Sequence, residues 1–97
     1  MANVASLREV YSRLHDLHGD CEPGSLDRDI AAHIVWSLHD DIDDSGRSQH
    51  VRRAIWSAPV TRELIDDIID DYFDYGGFGE EQVRSRAAEI LTDLAGR

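Results

Sequence analysis

The sequence contains no lysine, a single cysteine and two prolines, and it has no apolar run of transmembrane length. The lone Cys21 excludes an internal disulfide and is typical of a protein in a reducing compartment. No signal peptide or other targeting segment is recognisable in the sequence. We therefore expect a cytoplasmic protein without an internal disulfide.

Basic side chains are scarce as well. The 97 residues include 20 acidic side chains and 10 basic ones, all of them arginine, which gives a net charge of -10. This charge repels nucleic acid and anionic membranes, so direct binding to either is excluded as a function class. The partners that it favours are cationic: a basic protein surface, a polyamine or metal ions. Of the acids, 14 are aspartate, which is a poorer helix former than glutamate. This preference for aspartate over glutamate has either a compositional or a functional cause.

Hydrophobic residues recur with helical periodicity in five segments, which are separated by glycine, proline and serine. In the second segment, Ile30, Ile34 and Leu38 stand four residues apart on one face. The predicted helices span 6–18, 25–43, 49–57, 61–75 and 80–95. Since 97 residues provide room for one modest core, we predict a single helical domain over residues 1–97. Its expected fold class is all-α, a compact bundle of about five short helices.

Several side chains are expected to face this core or to end a helix. Leu26 begins the apolar stripe of the second helix, and Gly19 is the predicted stop of the first. Phe78 and Val83 are spaced to form a hydrophobic staple at the start of the fifth helix. The inward-facing residues predicted for the third helix are Val51, Ala54 and Ile55.

The fourth predicted helix divides into an apolar half and an acidic half. The acidic half carries an uninterrupted set of aspartates: Asp66, Asp67, Asp70, Asp71 and Asp74. Like charges four residues apart repel each other, and no base within the segment relieves them. The five carboxylates occupy about 12 Å along the helix axis. Their spacing along the axis is close to that of the phosphates in a DNA strand, which occur once per roughly 3.4 Å. Such a face is either an ordinary solvated surface or a dedicated docking site.

A second acidic cluster lies at the end of the second predicted helix: Asp40, Asp41, Asp43 and Asp44. Trp36 precedes this cluster and lies opposite the core stripe of the same helix. Two interpretations of Trp36 are open. It is either an exposed anchor beside acids, as in binding hot spots, or a ring buried against a second neighbour.

Both clusters contain the spacing D-D-x-x-D: Asp40, Asp41 and Asp44 in one, Asp66, Asp67 and Asp70 in the other. This spacing resembles the two aspartate-rich motifs of the trans-isoprenyl diphosphate synthases, an all-helical family, over about a fifth of the chain. The resemblance implies that each set of carboxylates holds Mg²⁺ for a diphosphate substrate. A chain of 97 residues is too short to enclose the elongated apolar tunnel of such enzymes.

Other chemical motifs are incomplete. His15, His18 and Cys21 have the spacing H-x2-H-x2-C of a partial zinc site, which lacks a second pair of ligands. Three further histidines are candidates for the missing position: His33, His39 and His50. No nucleophile motif, phosphate-binding glycine loop or dinucleotide fingerprint is present. We therefore expect no catalytic residue, no metal and no cofactor.

These patterns favour a small acidic protein that binds and blocks a basic partner, such as a nucleic-acid-binding protein or a nuclease complex. Proteins with this mechanism include nucleic-acid mimics, nuclease immunity proteins and phage-encoded blockers of restriction or CRISPR effectors. The residues predicted to contact the partner are Asp66, Asp67, Asp70, Asp71, Asp74, Asp40, Asp41, Asp43, Asp44, Trp36 and Tyr75. Two alternatives remain open: a structural or homodimeric helical subunit whose acids face solvent, and a Mg²⁺-dependent phosphate or diphosphate enzyme that uses the D-D-x-x-D pairs.

Overall fold

The computed structural model describes residues 4–43, 46–73 and 81–96, and these ranges contain five α-helices. The helices are α1 (Leu7–Asp20), α2 (Leu26–Leu38), α3 (Gln49–Ser57), α4 (Arg62–Tyr72) and α5 (Glu81–Ala95). Helix α2 continues directly into a π-helical segment, His39–Asp43. The described ranges contain no β-strand, and the Cα radius of gyration is 13.0 Å, in line with about 13 Å for a compact domain of 100 residues. The predicted all-α bundle is therefore confirmed. Within those ranges, no helix combines the length and the apolarity needed to span a membrane.

Hydroxyl side chains determine where four of the helices begin. Ser6, Ser25, Ser48 and Thr61 each have extended backbone, and each accepts a hydrogen bond from the backbone N–H three residues later. These bonds satisfy an N–H group that has no partner inside the helix. The starts of these helices therefore follow from local sequence alone.

The buried side chains form one core cluster, to which all five helices contribute. Among its fully buried members are Leu14 of α1, Ile34 of α2 and Leu91 of α5. The chain before α1 closes one side of this core, because the backbone of Ala5 donates to the carbonyl of Ala95 and accepts from the N–H of Val60. No polar or charged residue among those described is fully buried, so apolar packing holds the bundle together.

Helix α3 packs on the core through Trp56 and through Ile55, so of its three predicted inward residues only Val51 and Ala54 need correction. Val51 is 43% exposed, Ala54 is exposed and Ile55 is half-buried, whereas Trp56 is buried. The indole of Trp56 packs edge-to-face on Tyr11 of α1, with 5.0 Å between the ring centroids. This large ring buries more apolar surface than a valine or an alanine, so it determines which side of the helix turns inward.

Three further predictions need correction or lie outside the description. Leu26 is 47% exposed rather than buried, because it is the first residue of α2 and lies at the edge of the core. Gly19 does not end α1, since the helix runs on to Asp20. Phe78 of the predicted staple lies outside the described residues, and Val83 is buried.

Candidate functional site

The exposed side of α4 carries four of the predicted aspartates. Its buried side consists of Ile65, Ile68 and Ile69, which pack into the core. Because a helix turns by about 100° per residue, the carboxylates between them point outward. The structure exposes all four that it describes to solvent: Asp66, Asp67, Asp70 and Asp71. Asp74 and Tyr75, which were also predicted to belong to this site, lie outside the described residues.

One of these carboxylates has a cationic partner from another helix. Nη2 of Arg84 on α5 lies 2.6 Å from Oδ1 of Asp70. The sequence offers no base within the α4 segment to relieve this repulsion, and at Asp70 the relief comes from α5 instead. Arg84 follows 14 residues later in the chain, so helical spacing within α4 does not reveal the pair. Asp66, Asp67 and Asp71 make no hydrogen bond or ion pair with the residues that the structure describes.

The hydroxyl of Tyr72 joins the two acidic clusters that the sequence places far apart. Tyr72 is the last residue of α4, and its hydroxyl donates to Oδ2 of Asp41 in the π-helical segment at 3.4 Å. Burial raises the pKa of Tyr72, and the nearby negative charges of Asp41 and Asp71 raise it further. Both acids therefore act on the same hydroxyl. We call the resulting set the acidic surface: Asp40, Asp41, Asp66, Asp67, Asp70 and Asp71.

His33 of α2 holds the end of α4 in this position. Its Nε2 lies 2.5 Å from the carbonyl oxygen of Tyr72, at hydrogen-bond distance. Its ring also packs edge-to-face on Phe73 with 4.9 Å between centroids, and Phe73 is completely buried. The first of these contacts joins residues that lie 39 positions apart in the chain. No local pattern in the sequence signals them, and sequence reasoning missed both His33 and Tyr72 as residues that shape the site.

Trp36 is exposed, which rules out the interpretation of a ring buried against a second neighbour. It lies on α2 one turn after His33, and 68% of its surface is open to solvent. Together with side chains from α1 and α2 it lines a groove of about 340 Å³, whose other walls are Tyr11, His15, His18, Ala32, Val35 and His39. At one end of this groove, Nδ1 of His39 lies 3.9 Å from Oδ1 of Asp40. The groove therefore adjoins the acidic surface.

Asp43 is used inside the fold rather than presented with the other acids. Its side chain is half-buried, and its Oδ1 accepts a hydrogen bond from Nε1 of Trp56 at 3.1 Å. This carboxylate fixes the indole that anchors α3 to α1. Asp44, the next residue of the predicted cluster, lies outside the described residues.

No protein-family model matches this chain, and comparisons with curated proteins and with solved structures give no significant match. Functional inference therefore depends on the geometry of the acidic surface and the adjoining groove.

Among the described residues, no group of three or more histidines, cysteines or acids is arranged to hold a metal ion. His15, His18 and Cys21 of the predicted partial zinc site do not converge in this way, and neither do Asp66 and Asp67 with Asp70. The nearest cation to Asp70 is instead the guanidinium of Arg84. The first D-D-x-x-D set is only partly described, since it includes Asp44.

Proposed function

We propose that this chain is a non-catalytic binding module that docks its acidic surface on a basic, nucleic-acid-binding protein and blocks the surface it covers. The observation that carries the proposal is the junction at Tyr72, where Asp41 and Asp71 flank one hydroxyl. This junction brings the two short acidic clusters together, and Arg47, which donates to the backbone carbonyl of Asp41, is the cation that lies near the same hydroxyl. The acidic surface attracts a basic surface from a distance and speeds the encounter.

The density of charge on α4 matches that of a nucleic-acid strand. Asp66 and Asp71 are five residues apart, so the four exposed carboxylates lie within about 8 Å of helix axis. A DNA strand carries one phosphate per roughly 3.4 Å. Arginine and lysine side chains that are spaced for phosphates therefore find carboxylates at a similar spacing here. Among the described residues, Asp70 is the only one of these four that pairs with an arginine. The other three carboxylates can therefore bind a basic partner without first breaking an ion pair.

Charge alone provides little affinity, because exposed ion pairs contribute at most about 1 kcal/mol each. The groove beside Trp36 supplies the apolar component. Exposed tryptophans are the residues most often found at the centre of binding hot spots, and their rings also attract arginine and lysine side chains. We infer that a basic or aromatic side chain of the partner enters the groove while its neighbours contact the acidic surface.

This mechanism corresponds to nucleic-acid mimics, nuclease immunity proteins and phage-encoded blockers of restriction or CRISPR effectors. The single, half-buried Cys21 supports action in the cytoplasm, where such effectors work and thiols remain reduced. An enzymatic role for the D-D-x-x-D pairs is less well supported, since Arg84 already neutralises Asp70 at 2.6 Å. A homodimer that buries Trp36 is the second candidate, and exposed Leu26 and Val51 favour it.

The decisive experiment is affinity capture from the native host, with proteins identified by mass spectrometry. The bait variant Asp66→Asn, Asp67→Asn and Asp71→Asn removes three unpaired charges from the acidic surface. The matched control is Asp16→Asn, Asp20→Asn and Glu22→Gln, which removes three exposed charges from the C-terminal half of α1 and the following turn. We expect the unaltered protein and the control to capture the same basic protein and the α4 variant to lose it.

With the partner purified, its nucleic acid should compete with the bait, and higher salt should weaken the complex. Capture that is unchanged in the α4 variant, or lost equally in the control, contradicts the proposal. Light scattering of the pure protein tests the second candidate, because a stable dimer that dissociates on Trp36→Ser would place Trp36 between two copies.

A further inference from the structure

Most described arginines are neutralised or bonded within the fold. Arg13, Arg28, Arg47, Arg84 and Arg86 each donate to a carboxylate or a backbone carbonyl. The side chains of four others make no hydrogen bond or ion pair with the described residues: Arg8, Arg52, Arg53 and Arg62. Three of these four line a single cleft between α1 and α3. In a chain with 20 acids and 10 bases, a shortage of carboxylates does not explain this grouping.

The cleft has a volume of about 420 Å³ and is lined by Arg8, Tyr11, Asp43, Gln49, Arg52, Arg53 and Trp56. Its floor is rigid, because Trp56 packs edge-to-face on Tyr11 and donates to Asp43. The guanidinium carbon of Arg8 lies 5.9 Å from the centre of the Trp56 ring, in cation–π range. The arginines of α1 and α3 are therefore presented on a fixed aromatic base.

One of the arginines that line the cleft also has a polar atom that the fold leaves unsatisfied. Nε of Arg52 is buried and has no hydrogen-bond partner among the described residues. A buried N–H of a charged group without a partner is costly, and native proteins usually supply one. The sole acid among the described lining residues is Asp43, and one of its oxygens already accepts the indole N–H. Three arginines thus face one engaged carboxylate, which makes the cleft locally positive.

We propose that this cleft binds the phosphate group of a small anionic ligand. Guanidinium groups form paired hydrogen bonds with phosphate oxygens, and several guanidiniums can share one phosphate. A carboxylate offers two oxygens and one charge, whereas a phosphate monoester offers three oxygens and nearly two charges. Three arginines therefore match the charge and the oxygen atoms of a phosphate group better than those of a carboxylate. The volume falls within the range of about 300–1,000 Å³ that small-molecule sites occupy.

The phosphate, rather than an attached ring, is the part recognised. Trp56 is only 6% exposed, so its face is covered and does not provide a stacking platform for a base. Free phosphate, diphosphate and phosphate esters share the recognised group. Titrations with inorganic phosphate, inorganic diphosphate and adenosine monophosphate distinguish these sources. If adenosine monophosphate binds no more tightly than inorganic phosphate, the cleft does not recognise the ring of the ester.

The test uses the variant Trp36→Phe, in which Trp56 is the one remaining tryptophan and reports directly on the cleft. We expect saturable changes in Trp56 fluorescence with these anions, together with saturable heat by calorimetry. Arg52→Gln with Arg53→Gln should weaken binding by about tenfold or more, since charge-assisted hydrogen bonds of this kind are lost. The matched control Arg62→Gln removes an unpaired arginine outside the cleft and should leave the affinity unchanged.

Asp43→Asn tests the same site in the opposite direction. It removes the one negative charge while an amide oxygen can still accept the indole N–H, so the affinity should rise. The proposal fails if no probe gives saturable binding, if Arg62→Gln weakens binding as much as the cleft variant, or if Asp43→Asn weakens it in a correctly folded protein. The α4 variant should retain anion binding, which keeps this outcome separate from that of the docking proposal.

Discussion

At the scale of single residues, the carboxylate of Asp27 on α2 receives two parallel hydrogen bonds from Arg86 on α5. Nε of Arg86 lies 2.8 Å from Oδ1 and Nη2 lies 2.7 Å from Oδ2. This paired contact holds the pKa of Asp27 below the usual range of an aspartate. The same guanidinium also donates to Glu89 at 3.0 Å. Arg86 therefore links two helices that are far apart in sequence.

We expect Asp27→Asn to lower the free energy of unfolding at neutral pH by up to about 1 kcal/mol, because the pair is partly exposed and solvent weakens it. The folded-state pKa of Asp27 is depressed, so its contribution is present above about pH 4 and is lost as pH falls through the folded pKa. Urea unfolding at several pH values measures this difference. The difference in the free energy of unfolding between the variant and the unaltered protein should shrink towards zero in acid. The control is Asp29→Asn, because Asp29 has no arginine partner among the described residues. An equal loss of unfolding free energy in that variant would show that the effect at Asp27 does not come from its pairing with Arg86.

At the scale of helices, Gly19 illustrates how a local stop signal can be overridden. Glycine in the last turn of α1 predicts an end, yet Asp20 is still helical and the backbone N–H of Cys21 donates to Leu17. Gly24, in the turn that follows, has a φ of +84° and does require glycine. These two glycines therefore differ in backbone conformation although they are close in sequence.

Gly19→Ala should raise the free energy of unfolding by about 0.5–1 kcal/mol, because glycine is the poorer helix former and nothing lies within 4 Å of the added methyl group. Gly24→Ala should lower it by about 1 kcal/mol or more, since the space is open but the positive φ strains alanine. Thermal and urea unfolding of both variants test the contrast. A loss of stability in Gly19→Ala would show that the end of α1 is not helical in solution.

Comparison of α3 with α5 shows why some elements follow from the sequence and others do not. The apolar positions of α5, such as Ala87 and Leu91, are buried as their periodicity predicts. In α3, periodicity favoured Val51 and Ala54, but the contact of Trp56 with Tyr11 decides the orientation. Helical periodicity identifies a face only when one side chain does not dominate the packing.

The candidate site shows the same limit. Exposure of the α4 aspartates follows from helical spacing and was predicted correctly for Asp66 and Asp67. The contact between Tyr72 and Asp41 and the ion pair between Asp70 and Arg84 depend on how distant helices pack. Such contacts have no signature in a single sequence, because neither partner lies within one helical turn of the other.

At the scale of the whole molecule, the acidic surface and the arginine cleft carry charges of opposite sign. The acidic surface gathers carboxylates around α4 and the π-helical segment, whereas the cleft between α1 and α3 gathers three arginines without carboxylate partners. Like charges held close together raise the free energy of the folded state, and the repulsion is strongest at low ionic strength. The acidic surface should therefore destabilise the fold that carries it.

We therefore expect Asp67→Asn with Asp71→Asn to stabilise the protein while weakening its docking on a basic partner. The two acids are exposed, stand four residues apart on α4, and Asp71 lies in the last turn, where the helix dipole disfavours a negative charge. We expect a gain of about 0.3–1 kcal/mol at low salt, measured by urea unfolding, that diminishes as salt is raised. Asp70→Asn is the comparison, since it relieves repulsion with Asp66 but loses the bond to Arg84, and should gain less. A double variant that is no more stable at any salt concentration would mean that the carboxylates of α4 do not repel one another appreciably, and the charge density on which docking depends would then be lower than the structure indicates.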